Sequence, residues 1–365
     1  MKKEENIILN ILKYNTDENL KEILKDKNIN WIKILGYLTY HRVAGLAYEK
    51  INNINIRLFD YPVFLTTYLI NQAQKIRSSE QHKWISLISK ELIKNKINHV
   101  FLKGSVLSNT LYNCGSRASN DIDLLINKRD INSTTEILNS LGFKQGKFDY
   151  KNNKVIEFSS LEKEEILNKR GETAPFIKTC DIPTMKTIDI DVNFSIDWNP
   201  DCNEELIETL LNNKIIIQNE TTKDSIYSLC HEHNFIELCI HLYKDSALID
   251  ILKKRKVLDL YKFIDVYYFI MKYFEEINLE KLHNTISTYK LDNYIYFTLV
   301  HIISIFPDTK TPKIEKLLNL LHPEKDIINM IFDQYNPKNK LFTHKNILER
   351  IFTYDIINIY GDENE

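Results

Sequence analysis

Apolar residues recur close to the helical period of 3.6 from the start of the chain to about residue 95. The segments with this period are Asn6–Lys13, Glu18–Leu24, Trp31–Asn52 and Phe64–Asn95. A segment patterned in this way buries one face of a helix against its neighbours. The pattern therefore predicts an N-terminal helical region over residues 1–95.

The pattern changes to that of β-strands between residues 96 and 200. His99–Leu102 and Asp121–Ile126 are short runs rich in apolar residues, and Thr187–Asp197 alternates strictly between polar and apolar residues. A helical period between the second and third strands ends at Gly142, a residue typical of helix C-termini. This part of the chain is predicted to form a small mixed β-sheet with helices on it.

The second of these strands carries apolar residues on both of its faces. Ile122 and Leu124 lie on one face and Leu125 lies on the other, so both faces carry apolar side chains. Such a strand is predicted to be buried on both sides.

Helical periods return after Glu204 and continue toward the end of the chain. The predicted helical segments are Ser225–Lys244, Leu258–Phe274, Leu279–Tyr289, Asn293–Phe306, Ile314–Leu321, Ile327–Tyr335 and Asn346–Tyr360. The predicted fold class is α+β, with a small mixed-sheet core over residues 96–200. It is flanked by the N-terminal helical region and by a C-terminal helical domain over residues 201–365.

Composition narrows the class of protein without naming a function. The 365 residues are 43% hydrophobic and 27% charged, which is typical of a soluble globular protein. The formal net charge of -2 gives no overall attraction to nucleic acid or to anionic lipid. The five cysteines contain no Cys-x-x-Cys pair, and no apolar run is long enough to span a membrane. We expect a cytoplasmic protein with no membrane association.

The residues that could bind phosphate and metal lie just after the first strand and on the second strand of the predicted sheet. Lys103–Ser105 follows the strand His99–Leu102 directly and is predicted to open a helix. Backbone N–H groups at such a turn can bind a phosphate. Asp121 and Asp123 share one face of the next strand, where two carboxylates repel each other unless a cation lies between them. Magnesium binds one or two carboxylates together with substrate phosphates, so a metal–phosphate site is predicted here.

The alternating strand 187–197 places several acids on one face. Asp189 and Asp191 belong to this face, with Asn193, Ser195 and Asp197 after them. Such a face is either a solvated edge or the wall of a site.

The Gly-Ser turn followed by a paired Asp-x-Asp resembles the active-site signature of the polymerase-β-like nucleotidyltransferase superfamily. The chain is more similar to a bacterial group of uncharacterised nucleotidyltransferases. The resemblance is carried by Leu102–Lys103–Gly104, by Arg117 and by Asp121–Leu125, with Trp31 and His41–Arg42–Val43 extending it toward the N-terminus. It implies the nucleotidyltransferase fold for the sheet core.

The resemblance also implies a third carboxylate on a nearby strand. The best match is Asp191, in Asp191–Val192–Asn193–Phe194, where Asn193 stands in a position at which the family commonly has His. Asp189 is the competing candidate for the third acid. His241 and Asp265 match family positions that can line the acceptor side, and His41 either reaches the active site or ties helices together.

We therefore predict a magnesium-dependent, or manganese-dependent, enzyme that moves a nucleoside monophosphate from a triphosphate such as ATP to an acceptor. The acceptor is a small molecule, a peptide or protein, or a tRNA. The predicted catalytic and metal-binding residues are Asp121, Asp123 and Asp191, and the predicted nucleotide-binding residues are Lys103, Gly104, Ser105, Arg117 and Ser119. Two alternatives remain: a nucleotidyltransferase toxin acting on tRNA or protein, and a degenerate relative that only binds a nucleotide or a partner.

Overall fold

The computed structural model describes residues 2–15, 19–54, 59–197, 201, 203–249, 258–332, 340–343 and 346–353. The described residues form a mixed α+β structure with fifteen α-helices and an eight-stranded mixed sheet, which confirms the predicted fold class. The chain divides into two compact units. The sheet unit is Ile70–Asn234, and the helical unit combines Met1–Leu69 with Phe235–Glu365.

The helices and strands follow one another along the chain in a mixed order. The helices are α1 Lys3–Ile11, α2 Asn19–Ile23, α3 Trp31–Tyr40, α4 Ala44–Ile54, α5 Tyr61–Lys94, α6 Gly104–Thr110, α7 Ile131–Ser140, α8 Ser160–Lys169, α9 Glu204–Asn212, α10 His231–Ala247, α11 Leu260–Tyr273, α12 Leu279–Tyr289, α13 Asp292–Ile305, α14 Pro312–Leu320 and α15 Ile347–Ile351. The strands are β1 His99–Leu102, β2 Ile122–Ile126, β3 Lys144–Asp149, β4 Lys154–Glu157, β5 Phe176–Ile182, β6 Met185–Asn193, β7 Lys214–Gln218, β8 Ser225–Leu229, β9 Met330–Phe332 and β10 Lys340–Phe342.

Strand pairing brings the two acid-bearing strands side by side. The order across the sheet is β4-β3-β5-β6-β2-β1-β8-β7. Strand β2 pairs antiparallel with β1 and parallel with β6. All five residues of β2 are buried, which confirms that this strand is covered on both faces.

One face of the sheet packs against helices α5 and α7. Ile85, Ile88 and Leu92 of α5 join Ile137 and Leu138 of α7 in a single apolar cluster with the strands. The strand residues of this cluster include Phe101, Ile122, Leu124, Ile126, Ile188, Ile190 and Val192. Because side chains alternate along a strand, Asp123 and Asp191 point to the opposite face.

The helical unit has a separate aromatic core. Tyr243 and Phe297 pack with their ring centroids 5.0 Å apart, and Tyr267 stacks on Phe306 at 4.1 Å. The edge-to-face and offset arrangements that aromatic rings favour stabilise such a core beyond the burial of apolar area alone.

The units differ from the predicted divisions at residues 95 and 200. The latter part of α5 packs on the sheet, so the sheet unit begins at Ile70. Strands β7 and β8 extend the sheet on its β1 side, so the unit ends at Asn234.

Several predicted elements were wrong in detail. Ser225–Leu229 forms strand β8 where a helix was predicted, because it pairs with β1 and β7. Trp31–Asn52 forms two helices, separated near Arg42, whose φ is 59°. Residues 330–332 form strand β9 inside the predicted helix Ile327–Tyr335. Residues 16–18, 333–339 and 354–365, which include parts of the predicted helices, lie outside the described residues.

No helix in the described part of the chain is both long enough and apolar enough to cross a membrane.

Candidate active site at the β1–α6 turn

The register of the sheet aligns the predicted acids. Asp123 of β2 pairs with Leu102 of β1 on one side and with Asp191 of β6 on the other. Asp121 lies one residue before β2 and shares its face with Asp123. The three predicted carboxylates therefore meet on one face of the sheet, next to the end of β1.

The electrostatics of Asp191 confirm that these carboxylates are close to one another. Burial raises the pKa of Asp191 well above its usual range, and the negative charges of Asp121 and Asp123 raise this pKa further. Glu172 acts in the same direction. Like charges that share a site disfavour ionisation, so one member of the group tends to hold a proton.

Asp189, the competing candidate, has different neighbours. Burial raises the pKa of Asp189, while a hydrogen bond from Thr187 and the positive charge of Arg77 lower it. Asp121 and Asp123 are not among the groups that shift the pKa of Asp189. The structure thus brings Asp191, rather than Asp189, to the predicted acid pair.

Glu172 is an acid that sequence reasoning did not place. It forms an isolated antiparallel bridge with Asn193, and its Oε1 accepts a hydrogen bond from Arg170 Nη1 at 3.0 Å. Glu172 lies near Asp191 because the loop between α8 and β5 returns to β6, and this loop has no strand pattern in the sequence. No local sequence signal marks it.

Lys103 lies among the acids. Its Nζ is 2.7 Å from Asp123 Oδ1, and the two side chains are 15% and 8% exposed. The backbone of Lys103 has φ 46° and ψ −123°, a conformation that glycine adopts readily and other residues rarely do. Lys103 therefore contacts the predicted metal ligand Asp123 directly.

Gly104 is required by a close approach of the loop before β2. A Cβ atom at this position would lie 2.4 Å from Arg117 Nη1 and 2.3 Å from Ser119 Oγ. Real Cβ atoms do not approach other atoms so closely. The absence of a side chain here lets Arg117 and Ser119 lie against the start of α6.

The two serines of the site have structural contacts. Ser105 is buried, and its Oγ accepts a hydrogen bond from the backbone N–H of Asp123 at 3.1 Å. Ser119 Oγ donates to the carbonyl oxygen of Asp121 at 3.1 Å. Both hydroxyls fix the backbone that carries the acid pair.

The buried His82 is linked to the Gly104 turn through hydrogen bonds of Ser108. Ser108 Oγ donates to the carbonyl oxygen of Gly104 at 2.6 Å, and His82 Nε2 lies 2.8 Å from Ser108 Oγ. Since the Ser108 proton is used for Gly104, His82 Nε2–H is the donor. His82 Nδ1 then accepts from Thr221 Oγ1 at 3.1 Å.

This network makes stability depend on pH. Burial lowers the pKa of His82 to about 4. The unfolded chain, with a pKa near 6.5 for histidine, binds more protons than the folded chain between about pH 6.5 and pH 4. The free energy of unfolding should therefore fall as pH falls through this window.

We expect the melting temperature of His82→Gln, measured by circular dichroism, to fall less between pH 7 and pH 5 than that of the wild-type protein. His322 is exposed, and His322→Gln should keep the wild-type loss. An equal loss in the His82 variant would contradict this account.

The other family positions have their own surroundings. His41 is buried in the helical unit, where its Nδ1 accepts from the backbone N–H of Leu260 at 3.4 Å. His241 Nε2 lies 3.8 Å from Asp245 Oδ2, and Asp265 is buried in α11. Asn193 Nδ2 donates to the carbonyl oxygens of Leu124 and Asp191, so it supports the strand backbone.

Two cavities lie in the sheet unit. One of about 440 Å³, at the amino ends of β2 and β6, is lined by Arg77, Asn120, Tyr150, Pro183, Thr184, Met185, Lys186, Thr187 and Asp189. The other, of about 510 Å³, includes Asn127 and Arg129 and lies at the opposite end of β2. The smaller cavity is lined by Asn120, which directly precedes Asp121, whereas Asp121, Asp123 and Asp191 are not among its lining residues.

The donor set of the site fits a hard divalent cation. Among the described residues, no group of three His, Cys, Asp or Glu side chains is already arranged around one metal position. Magnesium, however, uses only one or two carboxylates when substrate phosphates supply the remaining oxygens. The repulsion around Asp191 is the kind of electrostatic cost that such a cation removes.

Two comparisons with known proteins gave matches. The sequence model of a family described as "Uncharacterised nucleotidyltransferase" matches residues 27–307. The crystal structure of an antigenic nucleotidyltransferase-like protein from Paracoccidioides brasiliensis is similar over 68% of this chain and 96% of its own, with 14% identity and a TM-score of 0.39. No curated protein gives a significant match to the sequence.

Proposed function

Because the chain belongs to the family of uncharacterised nucleotidyltransferases, we propose that it transfers a nucleoside monophosphate from a nucleoside triphosphate to an acceptor hydroxyl and releases pyrophosphate. The observation that carries the proposal is the alignment of Asp121, Asp123 and Asp191 on one sheet face beside the Lys103–Gly104 turn. Carboxylates beside a phosphate-binding turn are what phosphoryl transfer requires.

The triphosphate is proposed to bind at the start of α6. The close approach of Arg117 to Gly104 supports this position, because it puts a guanidinium group next to the proposed place of the phosphate oxygens. Arginine binds phosphate in a bidentate manner and keeps its charge at any physiological pH. Catalysis of this kind depends mainly on positioning and electrostatic stabilisation.

Each Mg²⁺ or Mn²⁺ ion would be held by one or two of Asp121, Asp123 and Asp191 together with phosphate oxygens, and it would supply positive charge next to the reacting phosphate. Asp191 has a further role. We assign it the role of general base because it is paired in register with Asp123, next to the proposed phosphate site. Asp191 accepts the proton of the acceptor hydroxyl while the hydroxyl oxygen bonds to the α-phosphorus. The bond from the α-phosphorus to the bridging oxygen breaks, and pyrophosphate leaves.

The acceptor is proposed to enter through the cavity of about 440 Å³ at the amino ends of β2 and β6. A small molecule, a peptide or protein and a tRNA are the acceptor classes to be compared. Transfer to tRNA or protein is the outcome expected of a nucleotidyltransferase toxin.

The test is transfer of label from each of the four α-³²P-labelled nucleoside triphosphates, with Mg²⁺ or Mn²⁺, to cellular RNA, protein and small molecules. We expect label in one of these fractions, and a loss of at least about 100-fold in Asp121→Asn and Asp123→Asn. Asp181 lies exposed on β5, and Asp181→Asn is the matched control that should transfer normally. Unchanged transfer by the Asp121 and Asp123 variants would reject this site.

A second candidate function is favoured by the contact between Lys103 and Asp123. If that ion pair is permanent, the protein is a relative that binds a nucleotide or a partner without chemistry. Calorimetry with triphosphate and Mg²⁺, combined with a pyrophosphate-release assay, separates the two functions. Binding without release in the presence of every acceptor fraction would favour the binding protein.

A further inference from the structure

We propose that Lys103 is an internal counter-ion of Asp123 that gives way to a divalent cation and then binds the triphosphate. This inference rests on the proposed nucleotidyl transfer. It assigns to one side chain two successive partners in the same site, first a carboxylate and then a phosphate. It also makes the binding of cation and triphosphate mutually dependent.

The contact is short and largely shielded from water. Lys103 Nζ lies 2.7 Å from Asp123 Oδ1, and little of either side chain is exposed. Asp123 Oδ1 belongs to the carboxylate that lies between Leu102 and Asp191 in the sheet register. A cation that binds this oxygen therefore competes with the ammonium group for the same carboxylate.

The surrounding acids explain why a counter-ion is needed. Asp121 and Glu172 both raise the pKa of Asp191, and Lys103 is the group that lowers it. Uncompensated charges out of water are costly, whereas a paired charge with good geometry is tolerated. Lys103 supplies one positive charge to a group of four carboxylates.

The backbone supports a role for this ammonium group. The φ of 46° and ψ of −123° at Lys103 cost little for glycine and are unfavourable for lysine. The chain nevertheless carries a long basic side chain at this position. The ammonium group is thus placed on Asp123 in spite of the backbone conformation.

Displacement leaves Lys103 next to the proposed phosphate site. Its residue immediately precedes Gly104, where Arg117 already lies close. The released ammonium then finds phosphate oxygens as its new partners, which offsets the lost contact with Asp123. Cation and triphosphate consequently strengthen each other's binding, and this coupling is reciprocal.

The test is calorimetry on the full chain with MnCl₂ and then with inorganic tripolyphosphate at saturating Mn²⁺. Tripolyphosphate is chosen because it needs no assumption about the base. We expect Lys103→Met to bind Mn²⁺ at least about tenfold more tightly than wild type, because the competing ammonium is gone. The same variant should bind tripolyphosphate at least about tenfold more weakly.

Lys90→Met is the matched control. Lys90 Nζ forms an ion pair of 2.9 Å with Asp224, just before β8. Because β8 runs parallel to β1, this pair lies near the amino end of β1, whereas Lys103 follows its carboxyl end. The control removes the same charge, and it should leave both affinities at the wild-type value.

Lys103→Gly is a second variant that tests the proposal even if Lys103→Met folds poorly. Glycine removes the ammonium group and suits the backbone conformation at this position, so this variant should melt at a higher temperature than Lys103→Met. It should show the same two changes in affinity.

Equal or weaker binding of Mn²⁺ by both Lys103 variants would overturn the exchange and leave nucleotidyl transfer standing. No binding of Mn²⁺ by wild type or by any variant would overturn the proposed function, and the exchange with it.

Discussion

Asp191→Asn is expected to reduce nucleotidyl transfer at least about 100-fold while raising the melting temperature of the protein. The loss of activity follows from the proposed role of Asp191 as proton acceptor and metal ligand. The gain in stability follows from the removal of one negative charge from a group of carboxylates that repel one another. For a unit of this size, each kcal/mol of repulsion removed would raise the melting temperature by about 2–4 °C.

The gain in stability should depend on pH in a defined direction. Since the pKa of Asp191 is raised in the folded chain, the folded state holds this proton more tightly than the unfolded state does. The wild-type protein therefore loses stability as pH rises above about 4 and through the folded pKa of this group. Asp191→Asn removes that loss, so its advantage should be largest near neutral pH and should vanish below about pH 4.

Asp189→Asn is the matched control for this experiment, because it is the same substitution on the same face of β6. Its neighbours are Thr187 and Arg77 instead of the acid pair. Because Asp189 lines the cavity proposed for the acceptor, its substitution can change the KM for the acceptor. We expect its kcat at saturating acceptor to stay within about threefold of wild type, since general acid–base effects of about 100-fold or more are confined to groups that touch the reacting atoms. The reverse result, with activity lost in Asp189→Asn and kept in Asp191→Asn, would make Asp189 the third carboxylate.

Gly104→Ala should weaken triphosphate binding at least about tenfold and destabilise the protein by about 1–3 kcal/mol. The new methyl group would overlap Arg117 Nη1 and the Ser119 side chain, so the loop before β2 must move. Both effects arise from one displacement, because the same loop carries Arg117 toward the proposed phosphate site. Denaturant unfolding and calorimetry with tripolyphosphate measure them separately.

Gly36→Ala provides a control of opposite sign. Gly36 lies within α3, and no heavy atom would lie within 4 Å of a new Cβ atom. Alanine in an exposed helix interior is more favourable than glycine, so we expect this variant to be more stable by about 0.5–1 kcal/mol. If Gly104→Ala were equally well tolerated, the close packing of Arg117 against α6 would be disproved.

Short sequence patterns are enough to predict the local elements that carry the candidate site. The strand His99–Leu102, the turn at Gly104, strand β2 with its acids, and the helix ending before Gly142 all follow from short patterns of polar and apolar residues. Each pattern depends on neighbours a few residues apart, which is why it can be interpreted without the fold. The α+β class followed from the same patterns.

The order of the strands was decided by tertiary structure. The helical period over Ser225–Lys244 predicts a helix, but Ser225–Leu229 is a strand because it pairs with β1, more than a hundred residues earlier in the chain. Strands β5 and β7 were likewise not predicted. Pairing partners far apart in sequence leave no periodic signal in either partner alone.

The grouping of the candidate site residues also depends on the fold. The alternation of β6 puts Asp189 and Asp191 on one face, and the family resemblance makes Asp191 the best match for the third acid. The register that pairs Asp191 with Asp123 brings Asp191 to the acids. The contact of Lys103 with Asp123 and the approach of Glu172 join residues separated by at least about twenty positions. The sequence specified which chemical groups are present and on which face each lies, whereas the distances among them result from strand pairing and side-chain packing.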